Sequence, residues 1–269
     1  GETLIFDATV HQAAIAIDRA RLSKTAMEQA ATLAGDRFRS ALLSSISHDL
    51  KTPLATITGA ASSLKDFGDR MTAESRRDLL ISIEEEAERL SRFVGNLLDM
   101  TRIESGAVEP KADWIDLKEV IHQSVERAQK YFPEASIDTS LASDLPLLMG
   151  DSVLLGQVLF NLLDNAVKYG GDEPINVYAR RDGKDVLISV TDLGKGIPSE
   201  DLDRIFEKFY RRGKPDGRAP GTGLGLSIAR GFVEAMGGKI HAESPALKKR
   251  GTRIVMRFPA SNEARGDVR

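Results

Sequence analysis

The sequence predicts an α + α/β protein, in which a hairpin of two long helices precedes a mixed domain. Apolar residues recur every three or four positions from Phe38 to Leu64 and again from Leu79 to Leu97. That spacing is typical of helices that bury one face. Beyond about residue 110, short β-branched runs alternate with helical segments, which indicates a sheet covered by helices. The length of 269 residues fits about two domains.

The composition excludes several classes of protein. Hydrophobic residues make up 41% and charged residues 29%, and the net charge is −3. These values exclude a wholly disordered chain and the basic excess of a general nucleic-acid binder. The absence of cysteine excludes a disulfide framework and a thiolate metal site. No apolar run reaches the ~20 residues that span a bilayer, so we expect no membrane contact from this stretch.

The first third of the chain reads as helical. Residues 1–36 predict one amphipathic helix, and residues 37–105 predict the hairpin. A turn around Gly68 separates the two hairpin helices, and Thr72 is the expected N-cap of the second. A lone hairpin buries too little apolar surface. Two copies that form a four-helix bundle would solve this, so we expect a homodimer.

A linker at 106–110 leads to the α/β domain at 111–260, and a polar tail occupies 261–269. Asp116 and Asp151 are expected to cap helices that end near Lys130 and Tyr169. Strands are predicted at 175–179, 186–191, 239–243 and 253–258. Further helices are predicted near 199–209 and 224–236, which gives a sheet with helices on one face.

None of the four histidines has a partner at a spacing typical of metal ligands. His48 differs from the others in its position around the predicted helix. It lies two residues from the stripe positions Ile46 and Leu50, about 200° around the helix, and therefore faces solvent. Asp49 is adjacent, and Thr52 lies one turn further on the same face. An exposed imidazole beside a carboxylate can act as a nucleophile whose proton the carboxylate accepts. The alternative is an ordinary solvated histidine, but a proline one residue after Thr52 costs ~3 kcal/mol within a helix and favours a special role.

A polar stripe on the predicted helix after Asp151 indicates a ligand site. Asn161 and Asn165 are one turn apart, and Lys168 lies on the same face of an otherwise apolar helix. Amide oxygens can bind Mg²⁺ and the lysine can neutralise phosphate. The alternative is an asparagine pair that is hydrogen-bonded within the core.

Two glycine-rich segments add to this signal. Asp192 follows a predicted strand, where its carboxylate could accept from an amino group such as that of adenine, and Gly194 and Gly196 permit close backbone approach. Residues 221–226 (GTGLGL) open a helix whose N–H groups could bind an anion. The preceding residues 212–220 cannot form a strand, so the segment is no dinucleotide fingerprint. Residues 212–220 are instead predicted to form a lid, and Arg211 is predicted to reach the phosphates of a bound nucleotide. No P-loop motif occurs in the sequence.

Taken in order, these segments resemble the sequence boxes of sensor histidine kinases. SHDLKTPL at 47–54 resembles the H box, NLLDNAVKY at 161–169 the N box, DLGKGIP at 192–198 the G1 box, FEKF at 206–209 the F box and GTGLGL at 221–226 the G2 box. Gly251-Thr252 resembles the last Gly-Thr of the fold. The resemblance implies a dimerisation and phosphotransfer hairpin joined to a Bergerat-type ATP-binding α/β sandwich, as in gyrase and Hsp90.

A narrower resemblance is carried by SSISH at 44–48, TITGAASSL at 56–64 and LLDNAVKY at 162–169. These segments are similar to the cytoplasmic C-terminal half of KdpD-type potassium-responsive sensor kinases. Residues 1–36 would then end a GAF-like domain. The resemblance implies a KdpE-like receiver domain as partner, potassium or osmotic signalling and a cytoplasmic location. Because the chain begins with Gly1, we expect a fragment of a protein that is anchored in the bacterial inner membrane.

The resemblance also implies roles for individual residues. His48 would accept the phosphoryl group from Mg-ATP, Asp49 would be the general base, and Thr52 would position water for dephosphorylating the partner regulator. Asn165 and Asn161 would hold Mg²⁺. The residues implied to contact ATP are Asn161, Asn165, Lys168, Tyr169, Asp192, Gly194, Gly196, Ile197, Arg211, Gly221, Thr222, Gly223, Leu224, Gly225, Leu226 and Thr252.

Two alternatives remain at this point. A hydrolytic ATPase of the same fold carries Glu four residues before the metal-binding asparagine, whereas this chain has Asn161, which favours the kinase. A non-catalytic dimeric coupling module would keep the boxes for folding alone. A measurement of ATP binding would separate that module from the other two.

Overall fold

The computed structural model describes residues 47, 50–211, 222–246 and 250–260. The predictions for the helix at 1–36, for His48 and Asp49, for the lid and Gly221, and for the tail at 261–269 lie outside these residues. Within the described part of the chain, no helix combines the length and apolarity needed to cross a membrane. The chain divides into two compact units, Gly1–Leu90 and Ser91–Arg269.

The described part of the first unit consists of helices joined by a short turn. Helix α1 covers residues 50–67 and continues through the buried Pro53, so the proline does not end it. A 3-10 turn at Gly68–Arg70 precedes helix α2, which spans Ala73–Glu104. The hydroxyl of Thr72 accepts a hydrogen bond of 3.1 Å from the backbone N–H of Ser75, which confirms the predicted cap.

The second unit is built on a five-stranded sheet of order β2-β4-β5-β7-β6, in which only the β2–β4 pair is parallel. The strands of this sheet are β2 Ile137–Leu141, β4 Ile175–Asp182, β5 Asp185–Thr191, β6 Lys239–Glu243 and β7 Arg253–Pro259. β1, Asp113–Ile115, pairs antiparallel with β3, Leu148–Gly150. The four predicted strands are confirmed. The other three were missed because they are short and carry no sustained alternation.

Three helices pack into one core with the sheet: α3 Leu117–Tyr131, α4 Ser152–Gly170 and α5 Gly225–Ala235. The carboxylates of Asp116 and Asp151 accept backbone N–H groups in the first turns of α3 and α4, as predicted. Alternate strand residues face this core, among them the fully buried Val177, Ile188 and Met256. The arrangement places the ends of β5 and α4 at the same side of the core.

The helix predicted near 199–209 is wrong. Over this segment the structure has two 3-10 turns, Ser199–Asp201 and Arg204–Phe206. Phe209 adopts a φ of 60°, and its backbone N–H donates to the carbonyl of Gly223, 3.0 Å away. A helix would direct that N–H to the residue four positions earlier, so this long-range bond replaces the helical one.

The end of α2 belongs to the second unit. Phe93 and Met100 are buried, and Met100 packs in the main core. A Cβ placed on Gly231 of α5 would lie 2.7 Å from the side chain of Ile103. Val94, which lies on the predicted apolar stripe, is 43% exposed in the single chain, whereas its neighbour Phe93 is buried. The face of α2 that packs on this core therefore lies one residue before the predicted stripe.

Candidate nucleotide-binding site

The carboxylate of Asp192 is held just beyond the end of β5. Its Oδ1 accepts the backbone N–H groups of Gly194 at 2.9 Å and Thr252 at 3.3 Å, while its own N–H donates to the Thr252 carbonyl. Burial raises the pKa of Asp192, and the two N–H donors oppose this only in part. Since both donations go to Oδ1, Oδ2 is the oxygen that suits a ligand donor.

Glycines let the surrounding backbone close around Asp192. A Cβ on Gly194 would lie 2.0 Å from the carbonyl oxygen of Tyr169, and a Cβ on Gly170 would lie 3.0 Å from the Asp192 side chain. Gly251 has a φ of +81°, and a Cβ there would lie 2.1 Å from the Asp192 carbonyl oxygen. A side chain at Gly170 or Gly194 would push the end of α4 away from the 192–196 loop, and one at Gly251 would displace the backbone of Asp192.

The same loop continues through Gly196 and Ile197, both half-buried. Gly196 has a φ of +72°, a conformation that favours glycine. The backbone N–H of Ile197 donates to the hydroxyl of Ser244 at 2.8 Å. Sequence reasoning missed Ser244 and Gly170. A serine after an edge strand and a glycine at a helix end are too common to signal a site.

The predicted polar stripe lies on α4. Asn161 is 8% exposed, and its Nδ2 is buried with no hydrogen-bond partner among the residues that the structure describes. Asn165 lies near the start of α5, where its Nδ2 is 3.6 Å from a Cβ placed on Gly225. Lys168 is paired with Asp164, and the side chain of Tyr169 is exposed. The N and G2 boxes therefore meet around Asn165.

The described part of the G2 box is a tight turn into α5. The hydroxyl of Thr222 accepts the N–H of Leu224 at 3.2 Å. Gly223 has a φ of +69°, and a Cβ there would lie 2.8 Å from the Phe209 backbone. Leu224 is fully buried, and the partly buried Leu226 packs against the core, so the side chain of Leu224 is not available to a ligand.

The site residues fall into two groups. Those of the second unit gather around Asp192 and around Asn165, with Arg211 exposed beyond the F box. Thr52 lies on α1 in the first unit and is exposed. The described residues contain no group of three or more His, Cys, Asp or Glu side chains that could hold a metal ion. This donor set fits a Mg²⁺ ion that takes most of its ligands from nucleotide phosphates and water, with an asparagine amide as protein ligand.

The region whose geometry fits a nucleotide lies within a match to a known protein family. The family of histidine kinase-, DNA gyrase B- and HSP90-like ATPases matches residues 150–262. The His Kinase A (phospho-acceptor) domain matches residues 38–106. The two matches follow one another along the chain and together cover more than half of it.

Curated relatives agree with these matches. The sensor protein KdpD of Clostridium acetobutylicum is 40% identical over 242 residues, which are 88% of this chain and 27% of that protein. The sensor protein KdpD of Escherichia coli is 38% identical over 226 residues, which are 82% of this chain and 25% of that protein. The chain thus spans about a quarter of the length of these relatives.

Solved structures agree in fold. Full-length ShkA in complex with AMPPNP is 28% identical, with a TM-score of 0.60 over 82% of this chain and 46% of that one. The Acinetobacter baumannii histidine kinase AdeS has a TM-score of 0.61 over 80% of this chain and 98% of that one. AdeS is 21% identical, so its likeness supports the fold alone. From the hairpin, the α/β sandwich and these matches, we conclude that the chain belongs to the sensor histidine kinases and resembles the C-terminal kinase half of KdpD proteins.

Proposed function

We propose that the chain uses Mg-ATP to phosphorylate His48 and then passes the phosphoryl group to an aspartate of a response regulator. The observation that carries the proposal is the buried carboxylate of Asp192, held through Oδ1 by the N–H groups of Gly194 and Thr252. This geometry leaves Oδ2 to accept from the amino group of adenine. The exposed ring of Tyr169 lies at the adjoining end of α4 and would flank the base.

The triphosphate would extend from Asp192 towards the N and G2 boxes. Asn165 and Asn161 would hold Mg²⁺, which when bound neutralises phosphate charge. The unpartnered Nδ2 of Asn161 also suits a phosphate oxygen. Lys168 would release its ion pair with Asp164 and bind a phosphate oxygen instead, and Arg211 would supply a second cation. Backbone N–H groups at the start of α5 would complete the anion site.

The chemistry at His48 is a phosphoryl transfer to nitrogen. An imidazole nitrogen would attack the γ-phosphorus as the bond to the β–γ bridging oxygen breaks and ADP leaves. Asp49 would accept the imidazole proton. The phosphohistidine would then lose its phosphoryl group to a regulator carboxylate. Thr52, one turn beyond His48, would position water for the later hydrolysis of that acyl phosphate.

The partners follow from the hairpin. Leu54, Phe67, Leu80 and Ile81 are between 42% and 55% exposed in the single chain. Such exposed large apolar side chains on both helices favour a second copy of these helices as the covering surface. A structure of ThkA was solved in complex with the response regulator protein TrrA. We infer a receiver domain of the KdpE kind as the regulator here, and potassium or osmotic signalling as the setting.

Hydrolysis of ATP by water is the second candidate function. A hydrolytic relative needs a carboxylate one turn before the metal-binding asparagine to activate water. Here that position is Asn161, which cannot act as a base. We therefore expect slow ATP turnover without a regulator.

The test is incubation of the full chain with γ-labelled ATP and Mg²⁺. We expect a label that is acid-labile and base-stable, which distinguishes phosphohistidine from a phosphoester. His48→Gln should abolish labelling while the ATP dissociation constant stays within about twofold, since the boxes lie in the other unit. Labelling that survives in His48→Gln would contradict the phospho-acceptor assignment. Full-strength ATP binding without labelling of the parent chain would favour the coupling module.

A further inference from the structure

We infer that Ser244 is a positioning residue for the base pocket, and that its hydroxyl sets the selectivity for adenine by fixing the loop that carries Asp192. The inference rests on the proposed ATP site. Ser244 follows the edge strand β6. Its Oγ accepts the backbone N–H of Ile197 at 2.8 Å and donates to the carbonyl of Gly251 at 2.9 Å. One hydroxyl thus joins the distant loop at Ile197 to the turn at Gly251.

The loop backbone lies directly against this hydroxyl. A Cβ on Gly196 would lie 2.7 Å from Ser244 Oγ and 3.2 Å from the Gly251 carbonyl oxygen. The N–H of Ile197 lies outside regular secondary structure, so the strand ladders cannot supply its acceptor. The serine hydroxyl therefore takes the place of a backbone acceptor at the far end of the 192–197 loop.

The contact continues from Ser244 to Asp192 through the turn at Gly251. The N–H of Gly251 donates to the carbonyl of Gly194 at 3.0 Å, and the N–H of Thr252 donates to Asp192 Oδ1. Without the Ser244 hydroxyl, this turn and the loop keep their bonds at the Asp192 end but lose the tie at the Ile197 end. We expect the direction of Asp192 Oδ2 to become less well defined.

The role of Ser244 is separable from folding. The β6–β7 pairing ends at Glu243, one residue before Ser244, and the main core contains no part of Ser244. Removal of Oγ therefore deletes no core packing and no strand pair. The cost should appear in nucleotide binding, and the fall in the unfolding temperature of the free chain should be no more than the loss of these two hydrogen bonds explains.

The experiment compares Ser244→Ala, Ser244→Thr and the parent chain in the binding of ATP and ITP. ITP has an oxygen at the position of the amino group that Asp192 would accept. We expect Ser244→Ala to weaken ATP about tenfold, the effect of a typical hydrogen bond, and to change ITP less than twofold. Ser244→Thr keeps the hydroxyl and should restore ATP binding.

A matched control is Ser140→Ala. Its hydroxyl also takes part in a hydrogen bond, from Asn176 at 3.2 Å, but it lies on β2 at the opposite edge of the sheet. Ser140→Ala should change the binding of neither ATP nor ITP. Equal losses for ATP and ITP in Ser244→Ala, no loss at all, or a large fall in its melting temperature would each overturn the inference. Failure of the parent chain to bind ATP would overturn the proposed function as well, and is read from the parent alone.

Discussion

The carboxylate of Asp99, near the end of α2, accepts a hydrogen bond of 2.7 Å from the side-chain amide of Gln157 on α4. Gln157 lies one turn before Asn161 on the same helix. The next residue after Asp99, Met100, is buried in the core. The last turns of a helix matched by the phospho-acceptor domain therefore form part of the packing behind the N box.

Asp99→Asn should stabilise the chain at neutral pH. Burial raises the pKa of Asp99, and the positive charge of Arg102 opposes this only in part. The folded chain therefore binds the proton more tightly than the unfolded chain, so this contribution to stability is lost as pH rises through the raised pKa. Asparagine keeps the acceptor for Gln157 without the charge. Urea unfolding should show a gain at pH 7 that vanishes towards about pH 4. A variant less stable than the parent at pH 7 would contradict this.

Met100→Ala should destabilise the second unit by about 2–5 kcal/mol, because it removes a buried side chain from the main core. Val153→Ala is the control, since Val153 is 73% exposed in the first turn of α4 and should change stability by less than about 0.5 kcal/mol. Thermal or urea unfolding of both variants measures the difference. Similar losses in the two would mean that α2 does not pack on this core in solution.

Gly251→Ala should destabilise the chain by about 3 kcal/mol or more. It combines a φ of +81° with a Cβ placed 2.1 Å from the Asp192 carbonyl oxygen, so the turn beneath Asp192 must move. Gly171→Ala is the control, because Gly171 also has a positive φ, +74°, but no atom lies within 4 Å of its Cβ. It should cost only the backbone strain, about 1–3 kcal/mol. Equal effects in urea unfolding would show that close packing at Gly251 is unimportant.

Asp192→Asn should weaken ATP binding by about 10- to 100-fold, because the amide directs N–H donors at the adenine amino group.

In the parent chain, the affinity for ATP should fall on acidification as Asp192 is protonated. Since burial raises its pKa, the loss should occur above the ordinary aspartate value of about 3.9. The variant should lack this step. Asp185→Asn, at the other end of β5, is the control in a titration calorimetry series. Unchanged binding in Asp192→Asn would exclude a contact with the base.

Thr52→Ala should impair dephosphorylation of the partner regulator while it largely spares labelling of His48. Thr52 is exposed on α1. It follows His48 by four residues in the sequence, whereas Asp49 is adjacent to His48 and is therefore the residue expected to take the imidazole proton. Asp49→Asn is the matched contrast, and should slow labelling by about two orders of magnitude. Both activities should be measured on one preparation of each variant. Equal loss of both in Thr52→Ala would mean that the threonine only supports the helix near Pro53.

Local interactions explain why much of this fold can be predicted from the sequence. The caps at Thr72, Asp116 and Asp151 each bond an N–H two or three residues away, so the spacing alone predicts them. The hairpin, the four longer strands and the family boxes are likewise continuous segments. From these features alone, the fold class and the resemblance to histidine kinases can be read in the sequence.

Only the tertiary structure decided which distant residues complete the site. Ser244 reaches Ile197 across 47 residues, and Asp99 meets Gln157 across 58. The backbone of Phe209 takes its partner from Gly223 and so cannot continue a helix. Such contacts depend on how separate segments pack, and neither hydrophobic periodicity nor a short motif contains that information. The buried face of α2 was misplaced by one residue for the same reason, since the surface that covers Met100 is formed by residues far along the chain.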